Sequence, residues 1–161
     1  MKTTRVRFMT QAAMIAAIYV VLTIFISAFH LASGAIQIRI SEALTILPAF
    51  TPAAIPGLFL GCLISNLITG AMLPDIVFGS LATLLGALGS YFVRKCKWAV
   101  PVPPILSNVL IIPWILSYVY CFPGSISYFM LTVGVGEIIS CGVLGMILYG
   151  TLAKYRHILF K

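Results

Sequence analysis

The run FMTQAAMIAAIYVVLTIFISAFHLA, residues 8–32, contains no Asp, Glu, Lys or Arg. A helix needs about 20 apolar residues to cross the hydrocarbon layer of a bilayer, so this stretch suffices by itself and decides the class of the chain. It exceeds the apolar segment of a secretory leader, roughly 7 to 15 residues, and no clear Ala-x-Ala site follows, so it is read as a retained span. The remaining sequence agrees. With 61% hydrophobic residues, 8% charged and a mean hydropathy of +1.14, too little polar surface exists to cover a soluble core. The expectation is an all-α integral membrane protein in which residues 1–161 form a single membrane domain, without repeat or linker.

The net charge of +7 invites a nucleic-acid partner, but its distribution argues against one. Nine of the ten basic residues fall into three clusters: Lys2, Arg5 and Arg7; Arg94, Lys95 and Lys97; Lys154, Arg156 and Lys161. Each abuts an apolar segment, and such residues collect on the cytoplasmic side of a membrane. If all three lie inside, the chain crosses an odd number of times between residue 30 and residue 94. One crossing cannot absorb that much apolar sequence, so three follow.

The punctuation fits a compact six-helix bundle with both termini cytoplasmic. A short second helix, residues 41–49, bends or frays at Pro48 and ends before Thr51-Pro52; Ile55-Pro56 opens the third, which runs to about Gly70. Leu73-Pro74-Asp75 opens the fourth, which ends at the Arg94 cluster. Pro101, Pro103 and Pro104 precede the fifth, which runs to about Tyr120. Phe122-Pro-Gly-Ser turns the chain into the sixth, ending near Tyr155. Between helices one and two, Ile36-Gln-Ile-Arg-Ile-Ser-Glu42 alternates apolar and polar residues, the period of an extended segment. Two readings stay open: residues 30–41 form a lid, or an ordinary loop in which Ser41 caps helix two and Arg39 pairs with Glu42.

Only three acidic residues occur, Glu42, Asp75 and Glu137, each in or beside an apolar stretch. A carboxylate in hydrocarbon costs about 2.5 to 3.5 kcal/mol on insertion scales, so each must be paired, pocketed or wet. Together they point to a cationic or hydrogen-bond-donating ligand. Asp75 has a simpler explanation as well, because a first helical turn favours a carboxylate. Glu137 has none from the helix dipole, since it lies about 16 Å along the sixth helix. It is the strongest functional candidate, with a neutral acid bonded to a neighbouring helix as the alternative.

Asn66 falls near the outer end of helix three, and Asn108 and Trp114 fall in helix five on either side of Pro113. Asn108 either lines a site or joins helices, as membrane Asn residues do; Trp114 lies too deep for the interfacial belt and is read as a stacking surface, whereas Tyr118 and Tyr120 fit the belt. Ala12, Ala13, Ala16 and Ala17 on helix one, and Gly57 with Gly61 on helix three, are small residues at spacings that permit close helix approach. Cys62, Cys96, Cys121 and Cys141 show no metal or disulfide spacing, and His30 and His157 are isolated. No phosphate-cradling G-x-x-x-x-G-K-[ST] motif occurs, so energy for active transport must come from elsewhere.

Several runs carry a resemblance: Arg39-x-Ser-Glu-Ala-Leu-Thr45, Phe50-Thr-Pro-Ala-Ala-Ile-Pro-Gly57, Gly61-Cys62, Asn66, and Asp75-Ile-Val-Phe-Gly-Ser-Leu-Ala-Thr83. They resemble the QueT family, regarded as substrate-binding S components of energy-coupling factor (ECF) transporters for queuosine precursors in the bacterial plasma membrane. The resemblance is dense over residues 36–93 and looser, through Asn108, Pro113 and Gly136-Glu137, over the rest. It implies binding from outside, and association through alanine-rich helix one with a transmembrane T component and two ATPase subunits that hydrolyse ATP, leaving no cofactor in this chain. Ala12, Ala13, Ala16 and Ala17 become the expected partner interface.

Queuosine precursors (preQ0, preQ1, queuine) are 7-deazaguanines, some with a cationic aminomethyl group. One carboxylate can accept two N–H bonds from the guanine-like edge while a second neutralises the amine. The expected mechanism is capture beneath residues 30–41 by Glu42, Asn66, Asp75 and Glu137, with Trp114 as a wall and Arg39 ordering Glu42 or contacting the base. No covalent chemistry is expected. The alternatives are an S component for another purine-like or vitamin ligand, a small intramembrane enzyme using Glu137 and Asp75 as acid and base, and a cation channel.

Overall fold

The computed structural model describes residues 2–28 and 39–155. The proposed lid therefore lies largely outside the described residues, as do His30, His157, Arg156 and Lys161. Among the described residues six helices follow one another: α1 (Lys2–Ala28), α2 (Ile40–Ala49), α3 (Ala54–Ile68), α4 (Leu73–Phe92), α5 (Val102–Tyr118) and α6 (Ile126–Lys154). Four stretches, Thr4–Ala28, Leu73–Phe92, Lys97–Tyr118 and Ile126–Lys154, are long and apolar enough to cross a bilayer. The surface they present is hydrocarbon-facing: Met9, Val21, Leu85, Leu110 and Leu131 are all exposed. In water such a coat would aggregate; in lipid it is the required exterior. The chain is a multi-pass helical membrane protein.

The short second helix is at the centre. α2 is wound as a 3₁₀ helix with Pro48 inside it, and residues 41–48 are all buried. It touches α1, α3, α4 and α6. A polar backbone in that position must satisfy itself locally, and Thr45 Oγ1 donates to the Glu42 carbonyl at 2.6 Å. Proline has no N–H to give, which keeps the segment short. α3 is 15 residues long, only about 22 Å, so it too falls short of a full crossing.

Close approach of α1 and α3 depends on glycine. A Cβ at Gly61 would lie 2.8 Å from Tyr19 Cβ and 3.1 Å from the Ala16 carbonyl oxygen, and one at Gly57 would lie 2.7 Å from the Ala12 carbonyl oxygen. The expected partner surface is thereby divided. Ala16 is buried and Ala12 half-buried against α3, while Ala13 and Ala17 are exposed. The small face with Ala12 and Ala16 is used inside the bundle, because residues at that spacing point to one side of a helix and α3 already occupies it.

The two ends of the bundle differ. At one, Thr51 Oγ1 donates to Gln11 Oε1 at 3.2 Å, the Phe50 and Tyr149 rings lie 4.8 Å apart, and Ser90 Oγ donates to the Val100 carbonyl at 2.8 Å. Ile15, Leu47, Ala54 and Ala87 pack together there. Arg5, Arg7, Arg94, Lys95, Lys97 and Lys154 follow or precede these contacts along their helices, so the basic clusters gather at this basic end. Arg94 lies over the Tyr91 ring at 4.2 Å. At the opposite end α5 meets the start of α4, and the candidate site opens there.

Candidate ligand-binding site

α3 ends at Gly70, whose φ of +73° belongs to the left-handed region that glycine adopts without strain. The Ala71 amide returns to the Asn66 carbonyl at 3.0 Å, which closes the last turn and sends the chain into α4. Asn66 and Asp75 are thus brought face to face from the end of one helix and the start of the next. A Cβ at Gly79 would lie 3.3 Å from both Asn66 Nδ2 and Asp75 Oδ1, so a bare glycine leaves room for both side chains.

These residues line a cavity of about 370 Å³ together with Arg39, Ser41 and Tyr120, closed on its apolar side by Ile112, Leu116 and Phe122. Asp75 is 6% exposed. Its Oδ2 accepts from the Tyr120 hydroxyl at 2.9 Å, and that same oxygen of Tyr120 accepts from the Met72 amide at 3.3 Å. Burial pushes the Tyr120 phenol above its ordinary range, against the pull of the Met72 amide, and the nearby Asp75 charge adds to the rise. The phenol is a neutral donor. It fixes one carboxylate oxygen and leaves Oδ1 towards Asn66.

Glu42 and Glu137, expected to line the same cavity, form a separate and deeper layer. The Tyr19 hydroxyl donates to Glu42 Oε1. Asn108 Nδ2 donates to Glu137 Oε1 at 2.8 Å, and Cys141 Sγ donates to Glu137 Oε2 at 3.1 Å. One carboxylate oxygen each of Glu42 and Glu137 and the Cys141 sulfur lie within 4.8 Å of one another. α6 brings its two members together through a wide turn: it is α-helical over Ile126–Glu137, π-helical over Ile138–Leu144 and α-helical again over Gly145–Lys154. Such π segments often mark functional positions. Arg39 stands between the layers, since it lines the outer cavity and also a chamber of about 10 Å³ with Asn108, Val133 and Glu137. Among the described residues no ion pair joins Arg39 to Glu42 and no side chain caps the start of α2; the choice between lid and loop falls on residues 30–38, outside the described residues.

Trp114 is not brought to the cavity. It is 47% exposed and stacks on Tyr118, ring centroids 5.9 Å apart and planes 4° apart. The inward face of α5 carries Asn108, Ile112, Ile115 and Leu116, and a residue two places after Ile112 lies about 200° round the helix. The aromatic groups at the site are Tyr120 and Phe122. Sequence reading assigned Tyr120 to the membrane interface, missed Tyr19, and set Cys141 aside for want of a metal or disulfide spacing. Signals existed: a phenol in the middle of a span requires a partner, and Cys141 falls four residues after Glu137, one turn away.

Comparison with known proteins gives one direction. Over 85 residues, 53% of this chain and 50% of the relative, it is 33% identical to the "Queuosine precursor transporter QueT" of Lactococcus lactis subsp. cremoris (strain MG1363). The chain thus spans about half the length of that curated relative. No solved structure matches it. The model of the QueT transporter family matches residues 9–154, nearly the whole of the six-helix bundle just described, and the chain belongs to that family.

Proposed function

We propose that this chain is the substrate-capturing membrane subunit for uptake of a queuosine precursor, a 7-deazaguanine, held in the outer cavity. The observation that carries the reading is the polar corner of that cavity, which Asp75 and Asn66 line together with Arg39 and Tyr120. Its volume of about 370 Å³ lies within the usual range for small-molecule sites, roughly 300 to 1,000 Å³. A guanine-like edge offers two N–H donors and a carbonyl; the Asn66 amide oxygen can accept from the first and the Arg39 guanidinium can donate to the second, which leaves Asp75 free. An aminomethyl arm would find its countercharge in Asp75. The QueT family is one of transporters, which sets aside the enzyme alternative.

The basic end faces the cytoplasm of a bacterial cell in this reading, by the bias of Lys and Arg towards that side, and both termini lie there. Translocation is driven by an ECF module of a T component and two ATPases, docked in part on the exposed Ala13 and Ala17. The test is direct. The full chain, purified in mild detergent, is analysed by mass spectrometry for small molecules that co-purify, then titrated calorimetrically with 7-aminomethyl-7-deazaguanine and with adenine. Selective binding of the deazaguanine is expected; absence of binding, or preference for adenine, overturns the proposal.

A further inference from the structure

The deep layer has a chemistry of its own. Glu42 is 1% exposed and Glu137 6%, so two carboxylates stand side by side where the medium screens them poorly. Neutral donors occupy three of their four oxygens: the Tyr19 hydroxyl, Asn108 Nδ2 and the Cys141 thiol. The fourth, Glu42 Oε2, is fully buried and has no hydrogen-bond partner. A buried carboxylate oxygen left in that state, beside a second carboxylate and a thiol, calls for a cation.

We propose that Glu42, Glu137 and Cys141 form a binding site for one divalent transition cation of the zinc class. Zinc bonds of about 2.0 to 2.3 Å in a tetrahedron set ligand atoms roughly 3.3 to 3.7 Å apart. The 3.1 Å from Cys141 Sγ to Glu137 Oε2 is already close to that spacing, and the remaining atoms, within 4.8 Å, need to close by about 1 Å. The Cys141 thiol, 3.1 Å from Glu137 Oε2 and 3.4 Å from the Glu42 carbonyl oxygen, carries the proton that the metal would replace. On binding, the S–H bond breaks, a sulfur–metal bond forms and the proton leaves to water. Two carboxylates and a thiolate then carry three negative charges, which the cation and Arg39 balance.

The surrounding groups suit this role. Tyr19 and Asn108 each donate to one oxygen of a carboxylate, the outer support by which metal-ligating side chains are oriented. The chamber of about 10 Å³ beside Glu137 and Asn108 has room for a single water as fourth ligand. Arg39 and Ile112 line both that chamber and the outer cavity, so these two side chains separate the two spaces. The thiol also decides the class: a site of carboxylates alone would favour magnesium or calcium, whereas sulfur favours zinc.

The test uses cobalt(II), which takes zinc geometry and absorbs in the near ultraviolet when bound by thiolate. Cys96 and Cys121 are exposed. Both are replaced by serine in the full chain, which is purified in mild detergent, stripped with chelator and titrated with Co²⁺. One Co²⁺ per chain, a thiolate charge-transfer band and its loss on addition of Zn²⁺ are expected. Cys62→Ser should leave the band, Cys141→Ser should abolish it, and Tyr19→Phe should weaken binding about 10- to 100-fold without removing it. Absence of the band with unsubstituted Cys141, which requires no further variant, overturns the proposal, as does a band that survives Cys141→Ser.

Discussion

Replacing Asp75 with asparagine separates charge from shape at the outer cavity. The asparagine carbonyl can still accept from the Tyr120 hydroxyl, which now reaches Asp75 Oδ2 at 2.9 Å, so the local frame should persist. What is lost is one negative charge. Two unit charges 4 Å apart at an effective dielectric of 20 attract by about 4 kcal/mol. The cavity is open to solvent on one side, and with screening about half remains, ~2 kcal/mol or roughly 30-fold in affinity. The loss should depend on the ligand. Calorimetric titration with 7-aminomethyl-7-deazaguanine should show it, while the 7-cyano analogue, which has the same ring but no cation, should lose about threefold or less, the scale of one weakened neutral hydrogen bond. Thermal unfolding should be unchanged within experimental error. Equal losses for the two ligands, or unaltered affinity for the amine, would refute the assignment of Asp75 to the cationic arm and move the site to the deeper acids.

Three further outcomes are expected. Gly61→Ala gains about 1 kcal/mol of helix propensity but drives a methyl group to 2.8 Å from Tyr19, and overpacking costs about 1 to 3 kcal/mol, so its melting temperature should fall. Gly150→Ala, with nothing within 4 Å, gains the propensity alone and should not fall; equal stability of the two variants would contradict the close packing of α1 on α3. Ala17→Trp, on the exposed face, should block uptake in cells yet leave deazaguanine binding by the purified chain intact, whereas Ala16→Trp should reduce stability and binding together; loss of binding in Ala17→Trp would place that face inside the bundle. Cys96 is exposed beside Arg94, Lys95 and Lys97, and should react with membrane-impermeant thiol reagents only from the cytoplasmic side; labelling from outside intact cells would invert the topology.

Much of the architecture was legible because membrane insertion writes it in coarse symbols. Pro52, Pro56, Pro74 and the prolines at 101, 103 and 104 lie at helix starts or breaks, and helix limits read from them fall within a few residues of those observed. Charge parity led to six helices, and six are found among the described residues, four of them long enough to cross a bilayer. The site was legible only as a set of scarce polar residues. Nothing in the spacing of Glu42, Asp75 and Glu137 says that α2 turns Glu42 towards α1 and α6 while Asp75 stays with Asn66 at the far end. That division depends on how a 3₁₀ segment is rotated among four neighbours, which tertiary packing decides. Trp114 was misplaced for a related reason: its depth along the helix was readable, its direction around the helix was not. The alanines of α1 show the same limit, since small residues at helical spacing fit an internal contact and an external one equally well.

The α4–α5 pair has an uneven fastening. At the basic end a Cβ on Gly86 would come within 2.7 Å of Pro104 Cα, so the two helices there touch backbone to ring with nothing flexible between them. At the cavity end they are joined by the hydrogen bond from Tyr120 to Asp75. The mechanics are those of tongs: the joint lies at the basic end, and the tips are held by two hydrogen bonds of the Tyr120 hydroxyl, one from the Met72 amide and one to Asp75 that a ligand there would compete for. From Gly86 back to Leu73 α4 gives about 20 Å of rigid arm, so opening by about 5° would part the tips by about 1.7 Å. Ligand entry therefore needs no rearrangement of the helix-packing core near the joint.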